Sequence, residues 1–269
     1  MLSKRCRIVA AGSLTLCDTH LPMTIGLDQI RSNRILDGLP VGEYELLAPS
    51  LEVKDLYLGD AIAQAGEVIK HLHFPVTGAI SIVNQQENGR IVEVTVIGRE
   101  GCSGATVVQG SETSPSVALV QVGGTAIDLP TSAVSQHSNR LPYLTKALTR
   151  YSLLLYRHSV ISVGCSQFHS SSQRVARWLK AHWHRTGFES FPFTTTFFAA
   201  QVGINEKTVS EVLDGFERDG IVRLGRQNIT ITDQNKLAGR SCPCFDQVRV
   251  ATDDYLLALA DIARTFGSN

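Results

Sequence analysis

The 269-residue sequence contains no run of 18 consecutive apolar residues, which excludes a membrane-spanning helix on length alone. It has no excess charge of either sign, with 25 Lys and Arg against 25 Asp and Glu, so the chain as a whole advertises neither a polyanionic nor a cationic partner. Catalytic signatures are missing too: there is no Gly-x-Ser-x-Gly, no phosphate-binding Walker loop and no His-Glu-x-x-His, and an enzyme is not expected. The six cysteines (Cys6, Cys17, Cys102, Cys165, Cys242, Cys244) are scattered through a chain too large to need disulfide staples, which suits reduced thiols in a cytoplasm. They also lack grouped spacing for an iron–sulfur cluster, because Cys6 and Cys17 stand eleven apart and unaccompanied. Cys242-Pro243-Cys244 is closer than an ordinary zinc half-site and has no matching pair in sequence, so the sequence predicts a thiol pair with no metal and no cofactor. His71 and His73 share one side of a strand, an arrangement open to a haem but more often found at a barrel surface. The start, Lys4-Arg5-Cys6-Arg7 then Ile8 to Cys17, loosely imitates a leader, but Gly12, Ser13 and Thr15 break its apolar run and no Ala-x-Ala site follows. A cytoplasmic extension is expected there, with Met23 an alternative start.

With 43% hydrophobic and 19% charged residues, the chain has the composition of a globular protein. Its neutrality hides a gradient. Residues 1–170 carry 13 basic and 14 acidic side chains, residues 171–240 carry 10 and 7, and the last 29 residues carry 2 and 4. A polyanion would therefore meet the 171–240 stretch. From Asn33 to Pro130 short apolar runs alternate with glycines, the pattern of an all-β barrel or sandwich, and Asn88-Gly89 between Ile80–Val83 and Ile91–Val94 is the clearest hairpin turn. The period then lengthens. Between Leu141 and Gly164, Leu144, Leu148, Tyr151 and Leu155 recur at helical spacing on about six turns, which fits a long core helix or, as we expect, a dimer seam. Serines in Gln167–Ser172 can cap the next helix, on which Val175, Trp178, Leu179, His182 and Trp183 share a face.

Residues 194–219 carry the most specific pattern. Thr194 can cap a helix with Phe198, Ala199 and Val202 inside; Gly203 falls where a tight turn between two helices needs a left-handed residue. Ile204 plugs the core, and Val209, Val212, Leu213 and Phe216 line a second helix. Ile221–Leu224 and Ile229–Thr232, flanking Gly225-Arg226-Gln227-Asn228, then read as the hairpin of a wing.

On these residues the chain resembles the Crp/Fnr superfamily of bacterial transcription regulators across about residues 33–248. The resemblance includes His73-Phe74-Pro75-Val76-Thr77-Gly78 and Val96-Ile97-Gly98-Arg99-Glu100-Gly101 in the barrel, the segment His169 to Leu179, and a Ser241-Cys242-Pro243-Cys244-Phe245 tail similar to one seen in a branch of the family. It implies an α+β chain in which an N-terminal jelly-roll barrel of the cyclic-nucleotide-binding type precedes a long dimerisation helix and a C-terminal winged helix-turn-helix. The expected boundaries are an extension over 1–30, an effector-sensing barrel over 31–136, the dimerisation helix and hinge over 137–168, the DNA-binding domain over 169–240 and a tail over 241–269. The implied partners are double-stranded promoter DNA, a second copy of the chain, an unidentified small-molecule effector and RNA polymerase, with no membrane. A sensor or scaffold on the same fold, without DNA binding, is the alternative.

In such a domain the second helix enters the major groove. Its early outward residues here are Asn205, Glu206, Lys207, Thr208, Ser210 and Glu211. Members resembling the cyclic-AMP receptor place Arg-Glu-Thr-Val-x-Arg across this turn, whereas this chain has Glu206-Lys207-Thr208-Val209-Ser210-Glu211. A carboxylate accepts from cytosine and cannot imitate arginine on guanine, so the familiar half-site is not expected. Lys207, with Ser210 or Glu211, is the candidate base reader; Thr194, Thr196, Thr208, Arg223 and Arg226 are candidate phosphate contacts. The family's cyclic-nucleotide binders hold the phosphate with a glutamate and a later arginine. Here the glutamate position resembles Gly104, and no arginine occurs between Arg99 and Arg140. A buried phosphate without a cation is costly. Cyclic AMP and cyclic GMP are therefore not expected, leaving Ser103, Gly104, Thr106, Ser114 and Ser116 for a ligand held differently.

Overall fold

The computed structural model describes residues 27–87 and 89–267. The leader-like start, Met23, Cys6 and Cys17, and the turn residue Asn88, lie outside the described residues.

Three short helices open the described chain, α1 (Leu27–Arg31), α2 (Arg34–Asp37) and α3 (Val41–Leu47). The sequence pattern starts the β region at Asn33, but Asn33 caps α2 instead. Its side-chain oxygen accepts from the Ile35 and Leu36 amides, and its side-chain nitrogen donates to the Pro75 and Gly101 carbonyls. Ile30, Ile35, Leu36 and Leu47 are buried, so these helices plug one end of the sheet core.

Seven strands follow: β1 (Glu52–Leu56), β2 (Ala61–Ala63), β3 (His71–Pro75), β4 (Ala79–Gln85), β5 (Ile91–Ile97), β6 (Val117–Val122) and β7 (Gly124–Pro130). They form two antiparallel sheets, ordered β1-β7-β3 and β2-β6-β4-β5. The barrel expected from the family resemblance is thus a sandwich of two sheets. Phe74, Ile80, Ile97, Val120, Ile127 and Leu129 fill the space between them. The expected hairpin joins β4 to β5, with Ile80 opposite Ile97.

After α4 (Thr131–Gln136) comes the long helix α5 (Pro142–Phe168), close to its expected span. Glu43 holds its start, accepting from the Tyr143 and Leu144 amides at 2.7 and 3.0 Å. Next is α6 (Ser171–Thr186), where Ser170 and Gln173 satisfy each other's backbone amides in a capping box. The remaining elements are β8 (Ser190–Pro192), α7 (Thr195–Val202), α8 (Glu206–Arg218), β9 (Val222–Leu224), β10 (Asn228–Ile231) and α9 (Gln234–Arg240). They enclose a second core containing Val175, Leu179, Phe198, Val209, Leu213, Phe216 and Ile229.

The segment expected to be a tail folds into α10 (Cys244–Gly267), which returns along α5 and buries Ala251, Tyr255, Leu259 and Ile262 in the sheet domain's core. That packing corrects the expected dimer seam. Leu144, Leu148 and Tyr151 are fully buried within the chain, and Leu155 packs half-buried against the same cluster. The apolar stripe α5 leaves to solvent is a different one: Leu153, Tyr156, Val160 and Val163, each more than half exposed.

Candidate nucleic-acid interface

The helix-turn-helix forms for local reasons. Thr194 is the N-cap of α7, its hydroxyl accepting from the Phe197 amide at 3.3 Å. At the other end Gly203 adopts φ +70°, the left-handed conformation the turn demands, and its amide reaches back to the Ala199 and Ala200 carbonyls. Asn205 caps α8, accepting from the Thr208 amide at 2.8 Å. The sequence pattern puts Asn205 among the base readers; the structure commits its side-chain oxygen to the helix. Val209, Leu213 and Phe216 turn inward, while Glu206, Lys207, Ser210 and Glu211 are exposed and Thr208 is half-exposed. Lys207 Nζ lies 3.9 Å from Glu211 Oε1, so the two candidate readers form an exposed ion pair one turn apart.

The wing is a three-stranded sheet, ordered β8-β10-β9. Glu217 ties it to α8 by accepting from the Leu224 amide at 2.8 Å. Arg223 and Arg226 are exposed on β9 and on the loop beyond it, and Thr194 and Thr196 are exposed at the start of α7. The structure thus brings Thr194, Thr196, Glu206, Lys207, Thr208, Ser210, Glu211, Arg223 and Arg226 to the surface of one domain.

The helix-turn-helix also touches the sheet domain. A Cβ on Gly203 would fall 2.7 Å from Val92 Cγ2 of β5. The Ser81 hydroxyl of β4 lies 2.8 Å from Glu93 Oε2 and 3.2 Å from Gln201 Oε1 of α7. Burial pushes the Glu93 carboxyl up to about 7, against the lowering effect of Ser81, Arg185, Arg177 and Gln121. Nearby, His158 of α5 is held neutral: burial, then the charge of Arg185, pushes it down to about 4. Its Nδ1 is 3.1 Å from Thr95 Oγ1 and its Nε2 3.3 Å from Thr252 Oγ1, linking β5 to α10.

The candidate effector residues fare differently. Ser103 is buried and exchanges backbone hydrogen bonds with His73; Ser114 Oγ donates to the Ser116 carbonyl at 2.7 Å. Gly104 has φ +84° and sits over the His71 carbonyl, while Val107 and Val108 of the following turn pack on the core. Tyr151 fills the adjoining space, leaving no room for a Cβ at Gly101, which would lie 1.8 Å from Cζ of its ring. A separate cleft lies elsewhere. It has a volume of about 830 Å³, lies between the sheet domain, α6 and α10, and is lined by Arg34, Arg99, Arg177, Arg185 and Arg249; none of Ser103, Gly104, Thr106, Ser114 and Ser116 faces it. His71 and His73 both turn Nδ1 to Asp128 of β7, at 2.9 Å for His71. Burial would raise Asp128, but the hydrogen bond and charge of His73, with Lys54 and His71, hold it below the usual carboxylate range. Those two nitrogens are engaged within the sheet.

Sequence reasoning missed one grouping. Cys242 and Cys244 do have a matching pair, Cys165 at the end of α5 and His169 just after it, and the four ligand atoms lie within 4.8 Å of one another. Separation by 77 residues hid the pairing.

Comparison with known proteins agrees with this architecture. Residues 173–240 match the Crp-like helix-turn-helix domain family. A CRP-like cAMP-activated global transcriptional regulator of Mycobacterium tuberculosis is 23% identical over 216 residues, covering 77% of this chain and 96% of its own length. Among solved structures, FixK2 of Bradyrhizobium japonicum superposes with a TM-score of 0.61 at 15% identity, covering 71% of this chain and 98% of its own. A regulator assigned to the Crp/Fnr family from Eubacterium rectale does so with a TM-score of 0.64 at 15% identity, covering 78% and 98%.

Proposed function

We infer that this chain, a member of the Crp/Fnr superfamily, binds promoter DNA sequence-specifically as a dimer and so regulates transcription. The observation that carries the reading is the exposed polar face of α8 beside the arginines of the wing. A helix with buried Val209, Leu213 and Phe216 and outward Lys207, Ser210 and Glu211 fits a major groove, and Arg223 and Arg226 are placed to meet phosphates flanking it. Two such helices are needed to read a two-fold operator. The Leu153, Tyr156, Val160 and Val163 stripe supplies the surface that pairs the copies.

Cyclic AMP is not the effector in this reading. Position 104 is glycine, no arginine lies between Arg99 and Arg140, and Tyr151 occupies the space beside Gly101. An anionic effector finds its counter-charges in the arginine-lined cleft between the domains instead. A cytoplasmic location follows from the same reading, and no helix among the described residues is long and apolar enough to cross a membrane.

The test is recovery of bound genomic fragments by footprinting, then mobility shifts comparing the recovered site with random DNA at fixed salt. A preference of about a thousandfold or more is expected. Equal affinity for both would replace the regulator with a sensor or scaffold that has lost specific DNA binding.

A further inference from the structure

Two separate stretches of chain deliver metal-binding atoms to the joint between the sheet domain and the DNA-binding domain. Cys165 lies in the last turn of α5, His169 is the first residue after that helix, and Cys242 and Cys244 flank Pro243 where α10 begins. Cys165 Sγ is 3.6 Å from Cys242 Sγ, Cys244 Sγ is 3.5 Å from His169 Nδ1, and all four atoms fall within 4.8 Å of one another. A tetrahedral zinc ion, with Zn–S about 2.3 Å and Zn–N about 2.0–2.1 Å, sets neighbouring sulfurs about 3.8 Å apart and sulfur from nitrogen about 3.5 Å. The two close separations match the edges of that shell. The sulfur–sulfur separation is far from the roughly 2.05 Å of a disulfide. An iron–sulfur cluster, which ties its cysteines to different irons, spreads its ligands wider than a shell around one ion.

We propose that Cys165, His169, Cys242 and Cys244 bind one zinc ion in a closed, structural Cys3His site. The three sulfurs are buried, with Ile161 packed against them, so four protein ligands complete the shell and leave no open position for a substrate. Three thiolates and a neutral imidazole around a dication leave a single negative charge. Arg177 and Arg174 lie close enough to the sulfurs to offset it. Arg174 also donates to the Val202 carbonyl, the last residue of α7. The ion thus pins the end of the long helix, the hinge and the start of the C-terminal helix together, and one neighbouring guanidinium links it to the helix-turn-helix. Nothing in this assignment depends on DNA binding.

The experiment uses the full chain, purified with reductant and dialysed against metal-free buffer. Elemental analysis should find about one zinc per chain, and replacement by cobalt should give the d–d bands of a tetrahedral ion with a strong thiolate-to-metal charge-transfer band. Cys242→Ser with Cys244→Ser should reduce bound metal to below about a tenth per chain, whereas Cys102→Ala, a buried cysteine outside the group, should leave it unchanged. Should the double variant fail to fold, His169→Cys decides: a fourth sulfur must keep the ion and intensify the charge-transfer band. Absence of zinc and of a cobalt–thiolate spectrum in the wild type, a spectrum indifferent to His169→Cys, or a Cys165–Cys242 disulfide in protein prepared without reductant but with zinc would each overturn the assignment.

Discussion

Glu93 is a half-buried carboxyl whose proton is held well above the ordinary carboxylate range. It lies under the contact between the two domains, with Ser81 and Gln121 donating to Oε2 and the charges of Arg185 and Arg177 acting on it. Its pKa, about 7 in the folded chain against 4.5 as the ordinary value, means that the folded protein binds an extra proton between those pH values. Stability contributed by the neutral form is complete below pH 4.5 and is lost as pH rises through 7. Glu93→Gln keeps the shape and removes the charge. It should therefore stabilise the protein by on the order of 1–3 kcal/mol at pH 8, with the gain vanishing near pH 4.5. Urea melts of both proteins across that range provide the measurement, and a difference that does not change with pH would refute the argument. His158 works in the opposite direction. Its folded pKa of about 4 lies below the ordinary 6.5, so stability is lost on acidification through that window, as Thr95 and Thr252 lose their neutral partner. The Glu93 effect must for that reason be read as a difference between variants and not from the wild-type profile alone.

At the scale of elements, what the sequence made legible was local. Thr194 as a cap, Gly203 as a left-handed turn and Val209, Leu213 and Phe216 as an inward stripe each depend on residues within a few positions, and each stands as read. The long helix shows where such reading stops. It carries two apolar stripes, and periodicity alone cannot say which is covered by the same chain. Residues 244–267, with no glycine or proline before Gly267, return to cover Leu144, Leu148 and Tyr151, leaving Leu153, Tyr156, Val160 and Val163 outside. Leu153→Asp with Val160→Asp should therefore yield a folded monomer by sedimentation, since two charges on that face would be buried unpaired in a dimer. A double variant that stays dimeric would place the interface on another surface. The recognition helix and wing divide their labour in a similarly checkable way. Arg226→Ala should weaken binding to every sequence and lower the salt slope by about one for each phosphate left without its arginine. Lys207→Ala, which also frees Glu211 from its ion pair, should cost about 1–3 kcal/mol at the cognate site and little on random DNA. If Arg226→Ala lowers the cognate-to-random ratio and Lys207→Ala spares it, the two surfaces have been assigned the wrong way round.

For the whole molecule, α10 decides how the two domains depend on each other. It leaves the DNA-binding domain at Cys244, runs along α5 and ends among the sheet domain's helices, with Tyr255 stacked obliquely on Tyr151 at 5.6 Å between ring centroids. The sheet domain therefore completes its core with residues that lie beyond the DNA-binding domain in sequence. Neither the tail expected over residues 241–269 nor the glycine-punctuated strands announced that dependence, because it joins segments about a hundred residues apart. A chain ending at residue 248 would strip Ala251, Tyr255, Leu259 and Ile262 from that core and leave Tyr151 without its Tyr255 neighbour. Loss of a single large core side chain costs about 2–5 kcal/mol, and losing Tyr255, Leu259 and Ile262 together removes most of the roughly 5–15 kcal/mol by which a domain is stable. The second core, built from α6 to α9 and the wing, contains none of the four. Calorimetry should accordingly show the intact chain melting in a single transition and the shortened chain in two, with the sheet domain unfolding first and the DNA-binding domain near its original temperature. A shortened chain that still melts once, at the temperature of the intact protein, would mean that α10 lies on the sheet domain without supporting it.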